Sequence, residues 1–195
     1  RNFGYLTPDL YIPFVQVTFP VPWWLYMVFA AFVMVGCVNA VNITDGIDGL
    51  AAGVTVPVMV FFTAVAVLWE HYELGIFSGA LLGGLLAFLI YNFHPAKVFM
   101  GDTGSMFLGG MVTGLAFGVG MPLILAFLGI IYICESMSVV LQVISFKTTG
   151  KRIFKMSPIH HHFEMCGLSE VKIDFAFSAV TAVGAVLAVL AVRFI

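Results

Sequence analysis

The sequence predicts an all-α polytopic membrane protein, and two observations carry that prediction. Of 195 residues, 62% are hydrophobic and only 9% charged, with a mean hydropathy of +1.09, whereas soluble domains carry about 25% charged residues. The apolar residues are also contiguous, in uncharged runs that reach the roughly 20 residues a helix needs to cross the hydrocarbon core. A net charge of -2 with no basic cluster in a soluble setting gives no support to a nucleic-acid partner. Cys37, Cys134 and Cys166 are too few and too scattered for a disulfide or zinc framework, and read as small apolar fillers.

The elements follow in order. Residues 1–21 form an extracytoplasmic segment, in which 11–19 partly alternates and is rich in β-branched and aromatic residues, as a short hairpin would be. Trp23 and Trp24 then stand where an interfacial aromatic belt would place them. Spans are expected at 22–41, 51–69, 74–91, 104–119, 122–146 and 174–192, about six crossings within one membrane-embedded catalytic domain over 1–195. The stretch 103–134 is too long for one crossing, so Gly118, Gly120 and Pro122 are expected to turn the chain. Glu70, His71 and Glu73 read as a solvated turn on the far side. Alternating the loops puts Lys97, Lys147, Lys151, Arg152, Lys155 and Lys172 on one side and only Arg1 and Arg193 on the other. The excess of basic residues makes the first side cytoplasmic, and 42–50, 92–103 and 147–172 are its loops.

Those loops hold nearly all the polar chemistry. Asp45 and Asp48 are three apart, so on a helical turn they share a face, while Gly46 and Gly49 allow close approach of a ligand to the backbone. A carboxylate pair of this type can hold a divalent cation, position a hydroxyl or ribose, or take a proton. Asn42, Thr44 and Asp45 are also good N-caps for the following span, although capping needs one such residue. Asp102, beside Gly101 and Gly104 with Thr103 and Ser105 next to it, suits a metal–phosphate site or a plain N-cap. Asn92 and Phe99 are a hydrogen-bonding and a stacking group for a nucleobase. Of His160, His161 and His162, adjacent helical positions cannot all face one metal; contact with phosphate oxygens fits better, with Lys151, Arg152 and Lys155 just upstream. Glu135 is a lone acid deep in a span, with Ser138, Gln142 and Ser145 continuing its stripe. Such a residue is either functional or part of an interhelical hydrogen bond.

Three stretches carry a family resemblance: NAVNITDGIDGLAAG at 39–53, YNFHPAKVFMGDTGSMFLGG at 91–110 and ESMSVVLQVISFKTTGKRIFKMSPIHHHFE at 135–164. On these the chain resembles the polyprenyl-phosphate N-acetylhexosamine-1-phosphate transferases, and the Pro-Ile-His-His-His run favours their muramoyl-pentapeptide branch. The resemblance implies a bundle of about ten helices in the bacterial cytoplasmic membrane, of which this chain is the C-terminal portion. It implies Mg2+-dependent transfer of phospho-N-acetylmuramoyl-pentapeptide from its UDP-linked donor, UDP-N-acetylmuramoyl-pentapeptide, to undecaprenyl phosphate, giving UMP and the first lipid intermediate of peptidoglycan.

By the same resemblance Asp102 ligates Mg2+ and Asp45 lies near the reacting phosphates. Asp48, Asn92 and Phe99 hold the uridine, Ile43 and Gly46 contribute backbone, and Asn39 and Asn42 belong to the same substrate-binding loop. His160, His161 and His162 engage the substrate, and Gln142 reaches it from the polar stripe. One departure is the absence of the adjacent Asp pair that the family carries in an earlier loop. A piece limited to these residues is therefore expected to be inactive. Two other readings stand beside this one: the same chemistry on UDP-N-acetylglucosamine, and a cation-coupled transporter, although transporter sites usually lie at the midplane. Homodimerisation is left open.

Overall fold

The computed structural model describes residues 8–192, so Arg1 and Arg193, used above to assign sidedness, lie outside the described residues. Eight helices follow a short hairpin. They are α1 (Trp23–Thr44), α2 (Leu50–Leu68), α3 (Tyr72–Asn92), α4 (Gly101–Gly118), α5 (Leu125–Leu128), α6 (Ile130–Thr149), α7 (Ile159–Glu164) and α8 (Glu170–Val192). Five of them, α1, α2, α3, α6 and α8, are long and apolar enough to cross a membrane. The chain is thus an all-α polytopic membrane protein.

The hairpin pairs β1 (Asp9–Ile12) with β2 (Val17–Pro20) in antiparallel register, Asp9 opposite Pro20 and Ile12 opposite Val17. Its Phe14 ring meets Phe127 edge-on at 5.2 Å, so it sits at the end of the bundle where α4 passes into α5. The polar loops lie at the opposite end.

Two expected spans differ in the structure. The fourth is a helix, but α4 has only 18 residues, six of them glycine, and falls outside the set long and apolar enough to cross. The fifth is broken: a 3-10 turn at Pro122–Ile124 leads into α5, and α6 starts afresh after Gly129. A helix of 20 residues from Ile130 carries Lys147 in its last turn, so the loop expected from 147 begins at Gly150. The cysteines are free, but only Cys37 is part-buried; Cys134 and Cys166 are exposed, so the filler reading fails for them.

The core is centred on α2, whose Leu50, Val54, Val58, Met59 and Phe62 are fully buried. α3 packs along one side of it and α8 along another. Inside, where water cannot satisfy a hydroxyl, Thr55 of α2 and Tyr132 of α6 bond to each other at 2.7 Å. By contrast α1 and α3 expose large apolar residues such as Phe32 and Ile90 along their lengths, as membrane-embedded helices do. α1 is held mainly by α4, and the contact is backbone on backbone: a Cβ at Gly109 would lie 2.6 Å from Val38 Cα. A small residue at such a crossing lets two helices close together where no hydrophobic drive separates helix from lipid.

Gly109→Ala is therefore expected to force α1 and α4 apart and to cost about 1–3 kcal/mol, the usual range for overpacking. Gly110→Ala, whose Cβ meets nothing within 4 Å, should melt at or slightly above the parent, because Ala is the better helix former by about 1 kcal/mol. Thermal unfolding of the two variants in detergent checks the pair.

Candidate active site

Three loops meet at the polar end, and each is placed by the helices it joins. α1 ends at Thr44 and α2 restarts at Leu50, leaving Asp45–Gly49 as a tight turn between them. α3 ends at Asn92, and the chain loops to Gly101, where α4 begins with Asp102 in its first turn. A carboxylate there is stabilised by the exposed N–H groups and the positive end of the helix dipole. The third loop runs from Gly150 to α7 and on to the start of α8.

A cleft of about 230 Å³ is lined by Asp45, Gly46, Ile47, Asp48, Asn92, Phe99, Met100, Gly101 and Asp102. It unites two sequence motifs that are separated by the whole of α2 and α3. Asn42 joins them from below: its amide nitrogen donates to Asp102 Oδ1 at 3.2 Å and to the buried Ser105 hydroxyl at 2.9 Å. Burial and then the negative charge of Asp102 push the Asp45 carboxyl above the ordinary carboxylate range. Two carboxylates facing one cleft with no cation between them repel, and oxygen donors so arranged are what a hard divalent cation takes.

Asp48 is fixed by a different set of partners. Its Oδ2 accepts from the Ala96 amide at 2.9 Å and lies 3.1 Å from His94 Nδ1. Its own amide donates to Glu170 Oε2 at 3.1 Å, and that oxygen is 3.5 Å from His94 Nδ1. Asp48, His94 and Glu170 could by spacing hold a metal ion, but each is already engaged by the other two, so we read them as a clamp across three loops. Asn92 is buried and donates to the Val98 carbonyl at 2.9 Å, which shapes the loop carrying Phe99. Phe99 itself is 72% exposed at the lip of the cleft, free to stack on a planar ligand.

The three histidines part ways on α7, where successive residues point about 100° apart. His160 is fully buried. Its Nδ1 lies 3.0 Å from Glu135 Oε2 of α6, and its Nε2 edge is pressed against Gly46, where a Cβ would come within 2.3 Å. His161 pairs with Glu164 on its own helix, and His162 Nδ1 accepts from the Lys155 amide at 3.1 Å. Only His160 reaches the cleft loops.

Gln142 is occupied elsewhere: its oxygen accepts the Ile153 and Phe154 amides, both at 3.0 Å, and its nitrogen donates to the Phe154 carbonyl at 2.9 Å. Asn39 donates back into its own helix, to the Val35 carbonyl. Ile43 is part-buried one turn before Gly46. Sequence reasoning gave no role to His94 or Glu170. His94 stood inside a quoted motif, but nothing local marks Glu170, which acts through contacts with residues 76 and 122 positions earlier.

The sequence model of the glycosyl transferase family 4 matches residues 3–120, more than half of the chain. This chain belongs to that family. It is 58% identical over 156 residues to the phospho-N-acetylmuramoyl-pentapeptide-transferase of Caldanaerobacter subterraneus subsp. tengcongensis, an alignment covering 80% of this chain and 49% of the relative. It is 50% identical over 175 residues to the protein of the same name in Clostridium acetobutylicum (90% of this chain, 55% of the relative). In Acetivibrio thermocellus the identity is 50% over 191 residues, 96% of this chain and 57% of the relative. The chain thus spans about half the length of the curated relatives it matches.

Asp45 gives a pH prediction. A carboxyl titrating above its unfolded value binds its proton more tightly in the folded state, so its contribution to stability falls as pH rises through the carboxylate range toward the raised folded value. Asp45→Asn is expected to melt above the parent at pH 8 and to lose that advantage below the ordinary carboxylate range, where both carry a neutral group. Thermal scans across pH test it; an advantage that grows on acidification would refute the placement of Asp45.

Proposed function

We propose that the protein to which this chain belongs transfers phospho-N-acetylmuramoyl-pentapeptide from its UDP-linked donor to undecaprenyl phosphate, releasing UMP and leaving the lipid-linked product, lipid I, in the membrane. The supporting observation is the cleft itself: two mutually repelling carboxylates, Asp45 and Asp102, share it with a clamped carboxylate, a buried amide and an exposed aromatic ring, at one end of a membrane bundle. The names of the relatives support phospho-N-acetylmuramoyl-pentapeptide as the group transferred. A lipid acceptor also explains why a water-soluble nucleotide would be bound at a membrane surface, on the cytoplasmic side by the distribution of Lys and Arg.

In this reading Phe99 stacks on the uracil, while Asp48, held still by Ala96, His94 and Glu170, accepts hydrogen bonds from the nucleoside. Asn92 keeps the Phe99 loop in shape, and Asn42 fixes the Asp102 carboxylate toward the cleft. The oxygen donors fit magnesium, which when bound would neutralise phosphate charge and stabilise the charge that develops on transfer. Asp102 would hold it, with Asp45 facing the same space toward the reacting phosphates. His160, fully buried, backs the Asp45–Asp48 turn from inside the bundle, with its Nε2 beside Gly46. The lipid phosphate arrives laterally and attacks the sugar-linked phosphorus as UMP departs.

The test is UMP release by the full-length protein in detergent with undecaprenyl phosphate and Mg2+, comparing UDP-N-acetylmuramoyl-pentapeptide with UDP-N-acetylglucosamine. Release is expected from the muramoyl donor only, lost on EDTA addition and reduced at least about 100-fold in Asp102→Asn, as for other lost electrostatic groups. Release only from the other donor would move the protein to the sister chemistry, and release that survives EDTA would remove the metal.

A further inference from the structure

Glu135 is fully buried in the apolar half of α6, and the only charged or ionisable partner within ion-pair distance among the described residues is His160. Burying a carboxylate is costly unless it is paired and hydrogen-bonded. Here the pairing is sparse. Neither oxygen of Glu135 and neither ring nitrogen of His160 makes a well-directed hydrogen bond among the described residues, although Oε2 and Nδ1 are 3.0 Å apart. Such a pair is poor value as a stabiliser, since an apolar pair of similar volume often does as well or better.

Its geometry, however, ties the bundle to the cleft. A carboxylate oxygen 3.0 Å from a bare ring nitrogen would set two lone pairs against each other, a repulsion that a proton on Nδ1 relieves. With Nδ1 taken up by Glu135, Nε2 is left on the opposite edge of the ring, and that edge rests on Gly46, between Asp45 and the clamped Asp48. The ring is further walled by His161, whose centroid is 4.2 Å away. The imidazole therefore has one oriented nitrogen inside the bundle and one at the cleft loop.

We propose that Glu135 is a positioning residue of the transferase: it holds the proton on His160 Nδ1 and thereby fixes which nitrogen, and which edge of the ring, faces the Asp45–Asp48 turn. This rests on the function proposed above, and goes beyond it by giving the buried acid of α6 a role that touches no substrate. A role of this kind is common for groups behind a working imidazole, and losing one costs about 10–100-fold in activity.

The experiment uses the full-length protein, labelled with 15N-histidine, together with Glu135→Gln, His160→Gln and the double variant. In the parent, the His160 ring signals, identified by their loss in His160→Gln, should report a proton on Nδ1. In Glu135→Gln they should shift, with a melting temperature close to the parent. UMP release by Glu135→Gln should fall about 10–100-fold in kcat with little change in KM for the nucleotide donor. In the His160→Gln background the same substitution should add no more than about twofold, the scatter of independent sites. Unmoved ring signals, a full additive loss in the double variant, or parental kcat in Glu135→Gln would each overturn the proposal. If Glu135→Gln does not fold, the parent spectrum decides, because protonation at Nε2 alone is incompatible with it. Histidine signals that respond while the parent releases no UMP would sink the proposed function and leave the pair standing; UMP release without that response would do the reverse.

Discussion

The constraint on which everything else depends is the intolerance of hydrocarbon for unpaired polar groups. Five helices of this chain satisfy it by keeping their backbone bonds internal and their side chains apolar, so chemistry is confined to places where helices end. Because consecutive helices reverse direction, alternate ends gather on one side. The turn after α1, the loop between α3 and α4 and the segment between α6 and α8 thus come together without any long-range instruction beyond hydropathy. The site is a by-product of crossing number and a few hydrogen bonds that choose the register.

Those bonds are of two kinds. Asn42 to Asp102 and Ser105 links the end of α1 to the start of α4, in line with the close crossing at Gly109 deeper in the same pair. The Asp48, His94 and Glu170 group links the loops laterally. One set fixes depth and the other fixes the lip. Between them they hold Asp45 close enough to Asp102 for the charge of one to raise the pKa of the other.

Much of this was legible in the sequence, for identifiable reasons. Helix positions follow from uncharged runs, and the meeting of the 39–53 and 91–110 motifs follows from counting crossings. The inward face of Glu135, Ser138 and Gln142 follows from helical spacing and is borne out by their burial. The break at Gly129 was not legible, because a glycine followed by isoleucines reads as apolar continuity whether or not the helix is interrupted. Nor was the separation of the three histidines by partner: adjacency in sequence says only that they diverge, and the acids they meet, Glu135 and Glu164, stand 25 residues before and two residues after the run. Gln142 pointed correctly inward but was taken up by the backbone of the loop at 153–154, a local competition that periodicity does not register.

The clamp on Asp48 also has a bearing on biogenesis. Ribosomes deliver a chain from its N-terminus, so the turn after α1 and the loop before α4 enter the membrane system well ahead of α8. Until Glu170 arrives, the amide of Asp48 has no acid to meet, and the lip of the cleft rests on His94 and Ala96 alone. The last described helix is therefore the keystone of assembly: the lip of the cleft is finished late, at the moment translation hands over α8, and a nascent chain stalled before it would present most of the cleft residues in an unlocked state.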